Sequence, residues 1–125
     1  MTLDLIVKTP MKIPVRKQDF SGWIMDELKK NGFDDRWQVE VMLVCDARMK
    51  GLNKKYRKVD KTTDVLSFPQ LDKPPKKGDN QSLGSIVISA AQAKKQAEEN
   101  SRSLIDELEF LTRHATRHLI GKHHK

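Results

Sequence analysis

Leu3, Leu5 and Val7 alternate with Asp4 and Ile6, the two-residue period of a first strand. Pro10 and Pro14 then punctuate an extended connection. From Asp19 to Lys30 the period changes: Phe20, Trp23, Ile24 and Leu28 fall on one face of a helix, and Asn31-Gly32 supplies its stop. Val39 to Val44 is a short run rich in β-branched residues, a second strand. Asp46 is placed to cap the following helix, which runs to Tyr56 with Met49, Leu52 and Tyr56 on one face. Val65, Leu66 and Phe68 predict a third strand ending at Pro69, and Ile86 to Ile88 a fourth. Between them Gln70 to Ser82 is rich in Lys, Pro and Asp and reads as a surface loop. Helices over Ala90–Glu99 and Leu104–Ile120 complete the chain. The pattern predicts one mixed α/β (α+β) domain spanning residues 1–125, with a small sheet of about four strands packed by helices.

The length of 125 residues suits one compact domain, and 37% hydrophobic with 33% charged residues suits a soluble one. No apolar run is long enough to span a bilayer, and the N-terminus lacks the basic and apolar regions of a signal peptide. These features predict a cytoplasmic protein without a membrane partner. The single cysteine, Cys45, follows an apolar run and reads as a small buried residue at a strand end. A formal charge of +7 favours polyanionic partners, although few aromatic residues are present to build a broad stacking platform.

The chemistry concentrates in the last twelve residues, HATRHLIGKHHK. His114 and His118 are four apart and share one face of a helix. Gly121 gives the chain a place to leave the helix and swing back, so that His124 reaches the same ion, with His123 as the alternative third ligand. Three imidazoles suit Zn2+, with a fourth position left for water. A metalloprotease would carry Glu directly after the first His, where this chain has Ala115. A basic tail without metal chemistry is the plain alternative.

Several motifs in order resemble the YbeY family. The tail is similar to the family signature H-G-x-L-H-L-x-G-Y-D-H at His114, His118, Leu119, Gly121 and His124. Upstream, Leu52 to Arg57 resembles L-N-x-x-Y-R, Thr63 to Pro69 is T-D-V-L-S-F-P, and Leu83 to Ser89 resembles L-G-D-I-V-I-S. Glu107 to Leu111 matches the run before the first histidine. The resemblance implies an α/β domain whose metal-site helix lies near the C-terminus, one zinc-like ion on three histidines, and an activity-bearing arginine at Arg57. It also implies an endoribonuclease of single-stranded RNA, tied to ribosomal RNA maturation and ribosome quality control.

Departures from the pattern are Ala115 for Gly, Arg117 for an apolar residue, Ser85 for Asp, and Lys122-His123 for Tyr-Asp. On this reading the catalytic set is Arg57, His114 and His118, with Arg57 clamping phosphate through its planar fork. Glu107 is a candidate to orient a histidine, or a plain surface residue; Asp64 is a structural turn; Thr62, Thr63 and Ser67 pair backbone only. Arg113, Arg117, Lys122 and Lys125 surround the histidines in sequence and would make the site electropositive. The Lys73, Lys76 and Lys77 segment is a connector or an RNA flap. Two rival functions remain: a ribosome- or RNA-binding relative with weakened turnover, and a metal-dependent hydrolase of another substrate.

Overall fold

The computed structural model describes residues 2–8, 12–33, 36–69 and 81–123. In chain order the elements are β1 (Thr2–Lys8), α1 (Lys17–Lys30), β2 (Arg36–Val44), α2 (Asp46–Arg57), β3 (Val65–Pro69), β4 (Gln81–Ser89), α3 (Ala90–Glu99) and α4 (Leu104–His123). The sheet order is β1-β2-β4-β3. β2 and β4 run parallel, β3 pairs antiparallel to β4, and β1 lies parallel on the outer side of β2. The result is a mixed α/β fold. The predicted loop begins at Gln70, and its residues 70–80 lie outside the described residues; its last two positions open β4.

Strand alternation divides the interior into two. Val39, Val41 and Leu43 of β2, with Leu83, Ile86 and Ile88 of β4, face α1, α3 and α4. Val44, Leu66 and Val87 turn the other way and meet Met49 of α2, with Met42, Leu52 and Phe68 beside them. The α1 stripe Phe20, Ile24 and Leu28 is fully buried, each side chain stabilising the fold by roughly 1.5–3 kcal/mol. Its stop is the expected one. Gly32 takes φ +77°, its amide donates to the Lys29 carbonyl at 3.2 Å, and the Phe33 amide donates to the Leu28 carbonyl at 2.9 Å.

Three local expectations are corrected. Cys45 is exposed at the N-cap position of α2, because the apolar run ends one residue earlier at Val44. Asp46 is the first helical residue and does not cap α2. Its carboxylate accepts from the Thr62 hydroxyl, from Ser89 Oγ at 3.1 Å and from Gln92 Nε2 at 3.2 Å, tying the connection before β3 to the start of α3. The Thr62 bond, with help from Ser89 and Gln92, holds the carboxyl of Asp46 below its ordinary pKa. Finally, α4 continues through Gly121 to His123; Gly121 keeps a right-handed conformation, and buried Leu119 and Ile120 hold the helix in place just before it. Glycine is tolerated inside a helix at a cost near 1 kcal/mol, so it need not end one.

α4 is anchored to α1 by ion pairs. Arg113 Nη1 donates to Asp26 Oδ2 at 2.6 Å and Glu27 Oε2 at 2.9 Å, and its Nε donates to Glu109 Oε2 at 2.8 Å. Arg117 Nη1 adds a bond to Glu27 Oε1 at 3.1 Å. Asp26 is held below its ordinary pKa chiefly by its hydrogen bond from Arg113, which is raised in turn. Glu27 is buried, and Arg113 and Arg117 close over its carboxylate. Arg113→Ala is expected to cost about 2–4 kcal/mol in a urea titration, because it takes the nearest cation from a buried carboxylate and frees Asp26 and Glu109 as well. Arg117, whose side chain is 51% exposed, should cost under about 1 kcal/mol in the same measurement. Equal costs would show that Glu27 draws no special support from Arg113.

Candidate metal and phosphate site

β3 is an edge strand, and its row beside α4 is where the candidate residues meet. Val65 and Ser67 point toward α4, whereas Leu66 and Phe68 point toward α2. A pocket of about 240 Å³ opens at this edge, lined by Arg57, Val65, Leu66, Ser67, His114, Ala115 and His118. Three residues selected from sequence, Arg57 at the end of α2 and His114 and His118 on α4, therefore border one concavity.

Each is held by its neighbours. Ser67 Oγ lies 2.5 Å from His118 Nδ1. That bond fixes the imidazole plane and assigns Nδ1 to the protein, so ligation would fall to Nε2. His114 is exposed and stacks on Phe110 with ring centres 6.3 Å apart and planes at 12°. The Arg102 guanidinium carbon sits 5.0 Å from the centre of the same Phe110 ring. Arg57 reaches around the sheet edge, where its Nη2 donates to the Ser67 carbonyl at 2.8 Å. Its guanidinium also rests 5.8 Å from the Phe68 ring centre. One strand residue, Ser67, thus sets the position of both Arg57 and His118.

His114 and His118 offer two imidazoles one turn apart, a donor set suited to a borderline divalent ion. Among the described residues no third His, Cys, Asp or Glu joins them. His124 lies outside the described residues, and His123 is described only as the last residue of α4. Since α4 passes Gly121 as helix, the expected turn-back at that glycine does not occur there.

Other candidates are placed elsewhere. Glu107 is buried and accepts from Arg102 at 3.5 Å, which makes it a fold residue near the start of α4. Asp64 accepts the Val65 amide at 2.7 Å and the Thr63 hydroxyl at 3.3 Å, a turn as expected. Arg113 and Arg117 are spent on α1 carboxylates and do not charge the pocket. Arg117 faces outward, so its polarity costs the core nothing, and Ala115 packs in the core beneath the pocket as a helix accepts. Ser67 was the missed residue. The available signal was its parity with Val65, which puts a polar group on an inward row.

The family model described as "Endoribonuclease YbeY" matches residues 7–125. A protein named "Endoribonuclease YbeY" from a Nitratiruptor species is 48% identical over 87 residues, covering 70% of this chain and 57% of that protein. One of the same name from Pelotomaculum thermopropionicum is 40% identical over 100 residues, covering 78% of this chain and 66% of its own. The chain thus spans less than two thirds of the length of both. A Dehalococcoides mccartyi protein, also so named, is 33% identical over 135 residues, 99% of this chain and 81% of that one. The solution structure of TM1509 from Thermotoga maritima superposes with a TM-score of 0.61 at 24% identity, over 92% of this chain and 71% of that one, a likeness of fold.

Proposed function

The chain belongs to the endoribonuclease YbeY family, and on that premise we propose that it is a metal-dependent endoribonuclease of single-stranded RNA. The observation that carries the proposal is the shared pocket. Two imidazoles of α4 and the Arg57 guanidinium face one concavity at the open edge of β3. The proposed substrate is ribosomal RNA, met on the ribosome in the cytoplasm during its maturation. The proposed ion is zinc, held by His114, His118 and a third histidine, His124.

A divalent ion bound there would supply Lewis acidity, polarising a phosphoryl oxygen and acidifying water near neutral pH. The chain's own residues do the rest. Ser67 holds the His118 ring so that little motion is needed on binding. One of the five N–H groups of Arg57 is committed to the Ser67 carbonyl. The others are available to the phosphate, where charge builds as water attacks phosphorus and the bond to the leaving ribose oxygen breaks. That oxygen takes its proton from solvent, because the pocket is open and no described carboxylate lines it.

The test pairs metal analysis with cleavage. The purified chain is expected to carry close to one zinc per molecule and to cut a single-stranded ribosomal RNA fragment. His114→Ala and His118→Ala should each lose most of the metal and at least about a hundredfold in rate. Zinc content near zero with no uptake on titration would overturn the metal assignment. Cleavage undiminished in both variants would overturn the site.

A further inference from the structure

α4 carries an exposed row that the histidine pocket uses only in part. Phe110, His114 and His118 fall four residues apart, so each stands one turn, about 6 Å, beyond the last along a single face. The two histidines line the pocket, and Phe110 sits one turn outside it. Its side chain is 47% exposed, although Leu108 and Leu111 on either side of it are buried, so the core makes little use of it. Its neighbours nevertheless orient it. The ring plane lies within 12° of the His114 imidazole plane, and the Arg102 guanidinium carbon stands 5.0 Å from the ring centre. Arg102 is tethered in turn to the buried Glu107 carboxylate at 3.5 Å.

Charge decides which part of an RNA strand meets this ring. Asp106 lies one turn before Phe110, and Glu109, held by Arg113 at 2.8 Å, is beside it. A phosphate is drawn instead to Arg57 in the pocket. The flat, uncharged part of a nucleotide is its base, and an unpaired base offers a π-face to an aromatic ring whatever its identity. A protein partner would need a wider apolar patch. Ile105, the other exposed large apolar side chain described on α4, lies five residues back and off the Phe110 row. A duplex keeps its bases stacked inside and has none to offer.

We propose that Phe110 is a stacking subsite for one unpaired base of the RNA strand, next to the phosphate that Arg57 receives. The inference rests on the ribonuclease reading above. His114 joins the two positions, since it lines the pocket and is also the ring beside Phe110. One helical turn separates base from phosphate, a step that a neighbouring nucleotide spans. The Arg102 guanidinium is a second flat group at the same ring and extends the surface. Stacking is tolerant of base identity, so the subsite selects strandedness and not sequence. A base seated on Phe110 sets the register in which the phosphate enters the pocket. A paired strand cannot seat one, which gives this chain a structural reason to act on single strands.

The experiment is stopped-flow fluorescence anisotropy on the full metal-bearing chain, read before turnover. The probes are a labelled all-adenosine octaribonucleotide and a fully abasic octamer of the same charge. The natural chain is expected to bind the adenosine octamer about tenfold tighter. Phe110→Ala should bring the two within about twofold, by weakening the adenosine octamer and leaving the abasic one unchanged. Phe110→Trp should keep the preference, and metal content should stay at the natural level in both variants. Equal binding of the two octamers by the natural chain would overturn the proposal, as would a preference that survives Phe110→Ala. An equal loss for both octamers, or a loss of metal, would overturn it by showing that Phe110 serves only to hold His114. No binding of either octamer would overturn it together with the RNA reading. A Phe110-dependent base preference in a chain that cuts no RNA would uphold the subsite and overturn only the hydrolase.

Discussion

Arg57→Ala is expected to lower the rate of single-stranded RNA cleavage by about 10²–10³-fold, the usual loss when one preorganised donor to a charged transition state is removed. The loss should fall on kcat more than on KM, because the basic α2 surface still gathers the strand. Arg57→Lys should recover part of the rate only. A lysine restores the charge but cannot bond the Ser67 carbonyl and grip two phosphate oxygens with one planar fork. Zinc content separates this from a disturbed histidine pair. If Arg57 acts on phosphate, metal binding stays at the natural level in both variants. A fall in metal content equal to that of His118→Ala would mean that Arg57 serves by holding Ser67, and through it His118. Unchanged kcat in Arg57→Ala would remove the arginine from the chemistry.

What could be read in the sequence was what is local in the chain. The α1 stripe and its Asn31-Gly32 stop depend on residues within a few positions, and the structure shows both. Arg57, His114 and His118 were singled out by motif, and the fold brings them to one pocket. The features that escaped depend on contacts distant in sequence. Asp46 reads as a cap because its partners Thr62, Ser89 and Gln92 lie in other elements. Ser67 reads as a pairing residue because its histidine is 51 positions away. Arg113 and Arg117 read as site charges because nothing along the chain tells that α1 presents Asp26 and Glu27 to them. Charge in sequence shows how much, while packing decides where it points. Gly121 shows the converse, since a local signal for a helix end is overridden by the buried residues just before it.

The largest stability effect is expected at Gly84. This glycine pairs with Pro69 across β4 and β3 at φ +139°, a conformation that side-chain-bearing residues rarely adopt. It follows an irregularity in the pairing with β2, where Gln38 faces Ser82 and Val39 faces Gly84, so that Leu83 is left over. A Cβ at this position would sit 2.3 Å from the Phe68 carbonyl oxygen, 2.9 Å from Pro69 Cα and 3.1 Å from a Leu119 methyl. Two of these atoms are backbone and cannot rotate aside, so β3 must part from β4. Gly84→Ala should therefore cost about 3–5 kcal/mol, a large share of the roughly 5–15 kcal/mol that holds a domain together. In a melting experiment that is a fall of at least about 10 °C. Gly51→Ala makes the opposite control. Gly51 is exposed within α2 and nothing stands within 4 Å of its added Cβ, so alanine should stabilise the helix by about 0.5–1 kcal/mol. A Gly84→Ala chain that melts within about 3 °C of the natural one would show that β3 can shift at little cost. The Ser67 bonds to Arg57 and His118 would then be too loosely placed to preorganise the site.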